Sequence, residues 1–170
     1  MWKFAAHGAL LALLLCLPGH TVGAQSAASE PFTSVETDKM METNATQSQR
    51  LKAIRELPTT QSVHLLRMNE SVPIGEKLKI TVPNEKTFIL SKTGGETRDS
   101  KDFTWFGVVQ GESNGSATLA ARHGEISGSI NSMAGVYRLS PLGDGLYALV
   151  KIDERKLPPD EPPSKDVKKQ

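Results

Sequence analysis

The sequence predicts a mainly β protein: an antiparallel meander forming a small sandwich or partly open barrel, with one N-terminal amphipathic helix. Three observations carry that reading. Short apolar runs with a period of two fill residues 103–152. There Phe103, Trp105, Gly107 and Val109 share one parity, as do Leu119 with Ala121, Ile126 with Ile130, Tyr137 with Leu139, and Leu146, Ala148, Val150 and Ile152. A period of two places such side chains on one face of a pleated sheet. Turn formers fall between the runs, at 111–115, at His123-Gly124, at 131–135 and at Asp144-Gly145. Asp-Gly suits a tight hairpin whose two central residues need positive φ. The third observation is a single stretch where Leu51, Ile54 and Leu57 recur every third residue among Arg50, Lys52, Arg55 and Glu56.

Taken in order, the chain opens with Lys3, an apolar run over 9–17 and the small-residue motif Val22-Gly23-Ala24. That is the pattern of a secretory signal peptide over 1–24, and its apolar run is short for a membrane span. Cys16 follows Leu15, which is too large for a lipidation signal. Residues 25–44 are rich in Ser, Thr, Ala and Glu without period, and read as a flexible leader. The folded domain is expected over 45–157. It begins with the helix, capped by Asn44 or Thr46 and stopped by Pro58. Residues 63–68 form a strand with apolar side chains on both parities, so both of its faces are expected to be covered. Residues 77–82 alternate, with Leu78, Ile80 and Val82 inward. Pro83-Asn84 turns the chain into a strand over 87–91, and 93–100 reads as a loop or a hairpin end. The five-stranded meander follows. Its least secure member is 116–122, where Ala117, Ala120 and Ala121 also suit a helical turn. Pro158, Pro159, Pro162 and Pro163 then begin a Pro-rich charged tail, 158–170, whose composition favours extended geometry.

The ordered series Trp105-Phe106-Gly107, Gly111, Leu119, Gly124-Glu125-Ile126-Ser127-Gly128-Ser129-Ile130, Tyr137-Arg138-Leu139 and Pro141-Leu142-Gly143-Asp144-Gly145-Leu146 resembles the propeptide of reprolysin-type zinc metallopeptidases, in particular those of bacterial secreted peptidyl-Asp metallopeptidases. The likeness covers roughly 78–159 and is strongest after 103. Chains of that family continue into a catalytic domain carrying His-Glu-x-x-His, and no such pentapeptide occurs between Met1 and Gln170. The resemblance implies a partner, a secreted zinc metallopeptidase. Related animal propeptides silence zinc with a cysteine thiolate. Cys16 is the sole cysteine and lies in the expected signal peptide, so inhibition here is expected to be steric or to use a carboxylate such as Asp160 or Glu161.

The residues themselves offer little chemistry. Loss of Lys3 with the signal peptide leaves 19 basic and 19 acidic side chains, which argues against a nucleic-acid binder. Gly111-Glu112-Ser113-Asn114-Gly115 has the form of a nucleophile elbow. However, no carboxylate lies between Ser113 and His123, and a hairpin turn is the expected reading. His64 and His123 are far apart and belong to no metal-ligand pattern. Asp153-Glu154 and Asp160-Glu161 lack a scaffold that would fix catalytic geometry. Trp105 and Phe106 could form a binding platform, but on a strand they point to opposite faces, so at least one of the pair is expected to be core.

Together these features predict a secreted or periplasmic binding protein without catalytic residues, metal or cofactor. It would act as inhibitor or folding helper of a zinc metallopeptidase, with Trp105, Phe106, Tyr137, Asp160 and Glu161 as candidate contacts. Membrane contact is expected only through the uncleaved leader. The competing reading is a small envelope or adhesion β module with no protease partner.

Overall fold

A computed structural model describes residues 27–36 and 44–158. The expected signal peptide and nearly all of the tail, including Asp160 and Glu161, lie outside the described residues. The described residues form nine strands and one α-helix: β1 (Phe32–Val35), α1 (Ala45–Arg55), β2 (Thr60–Met68), β3 (Lys77–Val82), β4 (Lys86–Asp99), β5 (Asp102–Val109), β6 (Ser116–Arg122), β7 (Glu125–Ser132), β8 (Gly135–Gly143) and β9 (Leu146–Ile152). They form one sheet in the order β1-β2-β9-β8-β7-β6-β5-β4-β3, every neighbouring pair antiparallel.

The sheet curls until its edges meet. With nine strands alternating in direction, β1 and β3 run the same way, so closure requires a parallel seam. Ser29 supplies it: its N–H donates to Lys77 O at 2.9 Å and its carbonyl accepts from Lys79 N at 2.7 Å. Pro31, two residues on, has no N–H to continue that ladder. Glu30 reinforces the seam by accepting from Lys79 Nζ at 3.0 Å and Thr81 Oγ1 at 3.2 Å. The result is a nearly closed antiparallel barrel.

Two cores fill the molecule. Inside the barrel, Phe32, Leu66, Ile80, Phe88, Trp105, Leu119, Ile130, Tyr137 and Leu149 pack with their neighbours. Phe88 meets Tyr137 edge-on at 5.1 Å, and Phe32 meets Tyr147 at 5.4 Å. Outside, α1 covers Leu65, Leu142, Leu146, Ala148 and Val150 with Leu51, which is fully buried. Asn44 caps α1 by accepting from Thr46 N and Gln47 N. Polar contacts then fix its position: Gln47 Nε2 donates to Gly143 O at 2.9 Å and Arg50 Nη1 to Leu142 O at 3.2 Å.

The five-stranded meander and its two-residue turns stand as expected. His123 and Asp144 take φ of 51°, followed by Gly124 at 86° and Gly145 at 71°. Residues 116–122 are a strand, since Ala117, Leu119 and Ala121 all face the barrel interior.

Four expectations change. Residues 93–100, read as a loop or hairpin end, instead prolong β4 to Asp99. They pair with β5 through bulges that the Gly94-Gly95 step permits. Within the expected leader, β1 pairs with β2, anchored by Phe32 at 1% exposure. Two apolar residues in four, Phe32 and Val35, are too few to show a period. Leu57 falls beyond the helix and is 48% exposed, because Glu56 already caps α1. In β9 the parity of Leu146, Ala148, Val150 and Ile152 faces the helix, while Tyr147 and Leu149 enter the barrel. A strand buried on both faces has no polar parity to mark its inside.

Truncating Leu51 to Ala leaves a cavity between α1 and β9. The expected cost is about 2–4 kcal/mol, read as a lowered midpoint in urea unfolding with little change in slope.

Candidate functional site

The two ends of the barrel are built differently. At one end, turns 83–85 and 133–134 and the loop 110–115 are sealed by charge. Glu85 accepts from Tyr137 Oη at 2.8 Å and Lys151 Nζ at 3.0 Å, and His64 Nε2 lies 3.1 Å from its other oxygen. Burial pushes the Glu85 carboxyl up. The hydrogen bonds from Lys151, Tyr137 and His64 outweigh that and hold it at about 2. Beside it, Glu112 accepts from Lys86 Nζ at 2.5 Å and from Met133 N at 2.8 Å, tying three connections together. Among the described residues, no buried side-chain nitrogen or oxygen lacks a partner.

The opposite end is open. Its rim is made by the β2–β3 connection (69–76), the β4–β5 turn at Ser100-Lys101 and the turns at His123-Gly124 and Asp144-Gly145. A cavity of about 370 Å³ opens there, walled by Val72, Pro73, Ile74, Phe103, Trp105 and Ala121. A second of similar size adjoins it and shares Met68, Glu70, Ser100 and Gly124. The floor of the second includes Tyr147, whose hydroxyl accepts from Ile126 N at 3.2 Å and donates only to the Met68 thioether at 3.7 Å.

Of the described residues expected to meet a partner, Trp105, Phe106 and Tyr137, only Phe106 is placed on the surface. It is 45% exposed, beside Val108 at 43% on the same outward parity of β5. Trp105 and Tyr137 are 2% and 0% exposed and lie in the barrel core, so neither ring stands on the outer wall, although Trp105 borders the open-end cavity. Tyr137 is held there by Phe88 and by its hydrogen bond to Glu85. The motif Trp105-Phe106-Gly107 has a packing logic. The indole folds back over its own strand into the space that Gly107 leaves, where an added Cβ would sit 2.3 Å from Trp105 Cη2. Trp105 Nε1 then donates to Gly75 O at 3.0 Å, pinning the β2–β3 connection that walls the open end.

The remaining motifs resolve as turns. Ser113 and His123 lie at opposite ends of β6, roughly 20 Å apart by strand rise, so the Gly-x-Ser-x-Gly run is a loop. His64 sits at the sealed end and His123 at the open one. Among the described residues, no group of three His, Cys, Asp or Glu side chains is gathered to hold a metal. No helix among them is long and apolar enough to cross a membrane. Asp153 caps a short 3-10 turn, Glu154–Lys156, with its carboxylate on Arg155. Sequence reasoning missed Glu85. Its partners come from β2, β8 and β9, and no local pattern announces such a convergence.

Because the folded Glu85 carboxyl is held at about 2 against an ordinary 4.5, its contribution is present above pH 4.5 and fades as pH falls toward 2. Solvent screening at this partly exposed site leaves about 1–2 kcal/mol. The stability gap between wild type and Glu85→Gln, measured by thermal melts, should be constant from pH 5 to 7 and close between pH 4.5 and 2.

No family model matches the chain. A peptidyl-Asp metalloendopeptidase of Xanthomonas campestris pv. campestris is 23% identical to it over 165 aligned positions, covering 88% of this chain and 39% of the peptidase. The chain thus spans about two fifths of the length of that curated relative. Among solved structures, a chain from a chaperone–substrate complex superposes with a TM-score of 0.46 and 14% identity, over 61% of this chain and 86% of the other.

Proposed function

We propose that this chain is a propeptide-like binding protein for a secreted zinc metallopeptidase, acting as its inhibitor or folding helper. The observation that carries the proposal is the similarity to the Xanthomonas metalloendopeptidase, which runs along most of this chain and along a minor part of the enzyme. The motif residues fit a scaffold role. Trp105, Gly107, Ile126, Gly128, Tyr137 and Leu139 all serve packing, and Gly128 has no room for a Cβ against Thr118 O. What is left for a partner is surface: Phe106 with Val108 on the outer face of β5, and the sequence after β9.

That sequence supplies the second part of the proposal. The relative is named for peptidyl-Asp, and Asp160 stands in Leu157-Pro158-Pro159-Asp160-Glu161-Pro162-Pro163. Prolines favour an extended backbone and remove amide donors. Such a segment fits a protease cleft as a poorly cleaved substrate, with Asp160 as the recognised side chain and Glu161 beside it. The rigid barrel would dock through Phe106 and hold the segment in place. A cleaved leader over 1–24 would place this encounter in the periplasm or outside the cell.

The test is titration of the chain into a secreted metallopeptidase from the same genome, following cleavage of an Asp-containing peptide. Stoichiometric loss of activity, or a raised refolding yield of the enzyme, is expected. Asp160→Asn should weaken inhibition at least tenfold without moving the melting temperature. Phe106→Ala should weaken the complex likewise, at a stability cost under about 1 kcal/mol. No complex by size-exclusion chromatography and no effect on activity or refolding would reject the reading and leave the envelope-module alternative.

A further inference from the structure

The β4–β5 hairpin outruns its neighbour. β4 pairs with β3 only as far as Ser91, opposite Lys77, after which the Lys92 N–H reaches Glu76 O at 2.8 Å. From Gly94 to Asp99 its one strand partner among the described residues is β5. Positions 95–99 are exposed. The far edge of β4 therefore presents about six residues of backbone, roughly 20 Å, with no strand laid on it. Unpaired edges template the addition of another chain, and proteins blunt them with proline, lysine or a covering loop. This edge carries no proline; Gly94 and Gly95 are followed by the charged Glu96, Arg98 and Asp99, and its pairing with β5 is bulged. A Cβ at Gly94 would meet nothing within 4 Å, so that position is open, whereas Gly95, at φ 142°, lies against Thr104 O and is required by the bulge.

The open-end cavity lies directly beside that edge, with Thr97 and Asp99 on its lip and Val72, Ile74, Phe103 and Trp105 behind them. An edge next to an apolar pocket is the geometry of strand addition. Main-chain hydrogen bonds supply affinity, and alternate side chains fill the pocket. Charge narrows the occupant. Lys92 is held by Glu76 at 3.2 Å and Arg98 by Asp102 at 3.6 Å. Glu96 on the edge and Glu70 beside the cavity have no ion-pair partner among the described residues.

We propose that the free edge of β4 and the adjoining cavity form a docking groove for an extended peptide segment alternating apolar and basic residues. The segment adds as a strand to β4, its apolar side chains enter the cavity, and its basic side chains, on the opposite parity, lie on the outer face beside Glu96. The inference stands on the edge and the cavity, and does not depend on which protein supplies the segment or on the metallopeptidase reading.

Trp105 lines the cavity and reports on it. The other tryptophan, Trp2, is removed by Trp2→Phe in the full chain. An acetylated, amidated octapeptide of alternating valine and lysine should produce a saturable shift in Trp105 emission. N-methylation of alternate amides, which blocks a backbone ladder, should weaken binding at least tenfold in one of its two registers. Glutamate in place of lysine should do the same. Glu96→Lys, on an exposed site, should reverse the preference between the lysine and glutamate peptides. The proposal is overturned by an absent or unsaturable response, or by equal binding of peptides N-methylated in either register. It is equally overturned by octyltrimethylammonium binding as tightly as the peptide, or by a Glu96→Lys chain with unchanged preference.

Discussion

The architecture turns on one side chain folding over one missing side chain. Trp105 is the largest residue in the barrel core, and it fits because Gly107, two positions along the same strand, leaves the space its indole occupies. The ring's N–H then reaches Gly75 O, so a single residue fills the interior and fastens the β2–β3 connection. The position of that connection decides the shape of the open end. A tryptophan whose N–H is bonded satisfies the demand that buried donors be paired. The same packing explains why Phe106 is left outside: adjacent residues of a strand face opposite ways, and only the inward one has a glycine to lean on.

Around this point the barrel solves two further problems. Nine alternating strands cannot close by antiparallel pairing alone, and the parallel seam at Ser29 is the result, cut short by Pro31 and supported by Glu30. β9 and β2 must also serve two cores at once, one inside the barrel and one beneath α1. The helix is small and contributes mainly through Leu51. Its hydrogen bonds to Leu142 O, Gly143 O and the Asp144 side chain set where that one side chain lands.

The functional asymmetry follows from the two ends. Glu85 and Glu112 draw together turns from distant parts of the chain and close one mouth with charge. The other mouth keeps apolar walls, an unpaired strand edge and a few acids on its rim. A protein that binds through a rigid scaffold benefits from this arrangement, since the sealed end stabilises what the open end presents. The exposed Phe106 and Val108 lie on the barrel's outer wall, away from the cavity at the open end.

Local pattern was enough to set out the meander, its turns and its one helix. Period-two alternation over 103–139 and positive-φ turns at His123-Gly124 and Asp144-Gly145 act between neighbouring residues, and neighbouring residues are what a sequence displays. The opposite directions of Trp105 and Phe106 were legible for the same reason. Which of several apolar parities faces which core was not. In β9 both faces are covered, and only the arrival of α1 on one side separates Leu146, Ala148 and Val150 from Tyr147 and Leu149. Likewise β1 and the Glu85 cluster are products of strands meeting across 20 to 50 positions or more of chain. Local pattern marked the meander strands and the helix; closure of the sheet decided the rest, because hydrogen bonds and burial between distant segments exist only once the chain has brought them together.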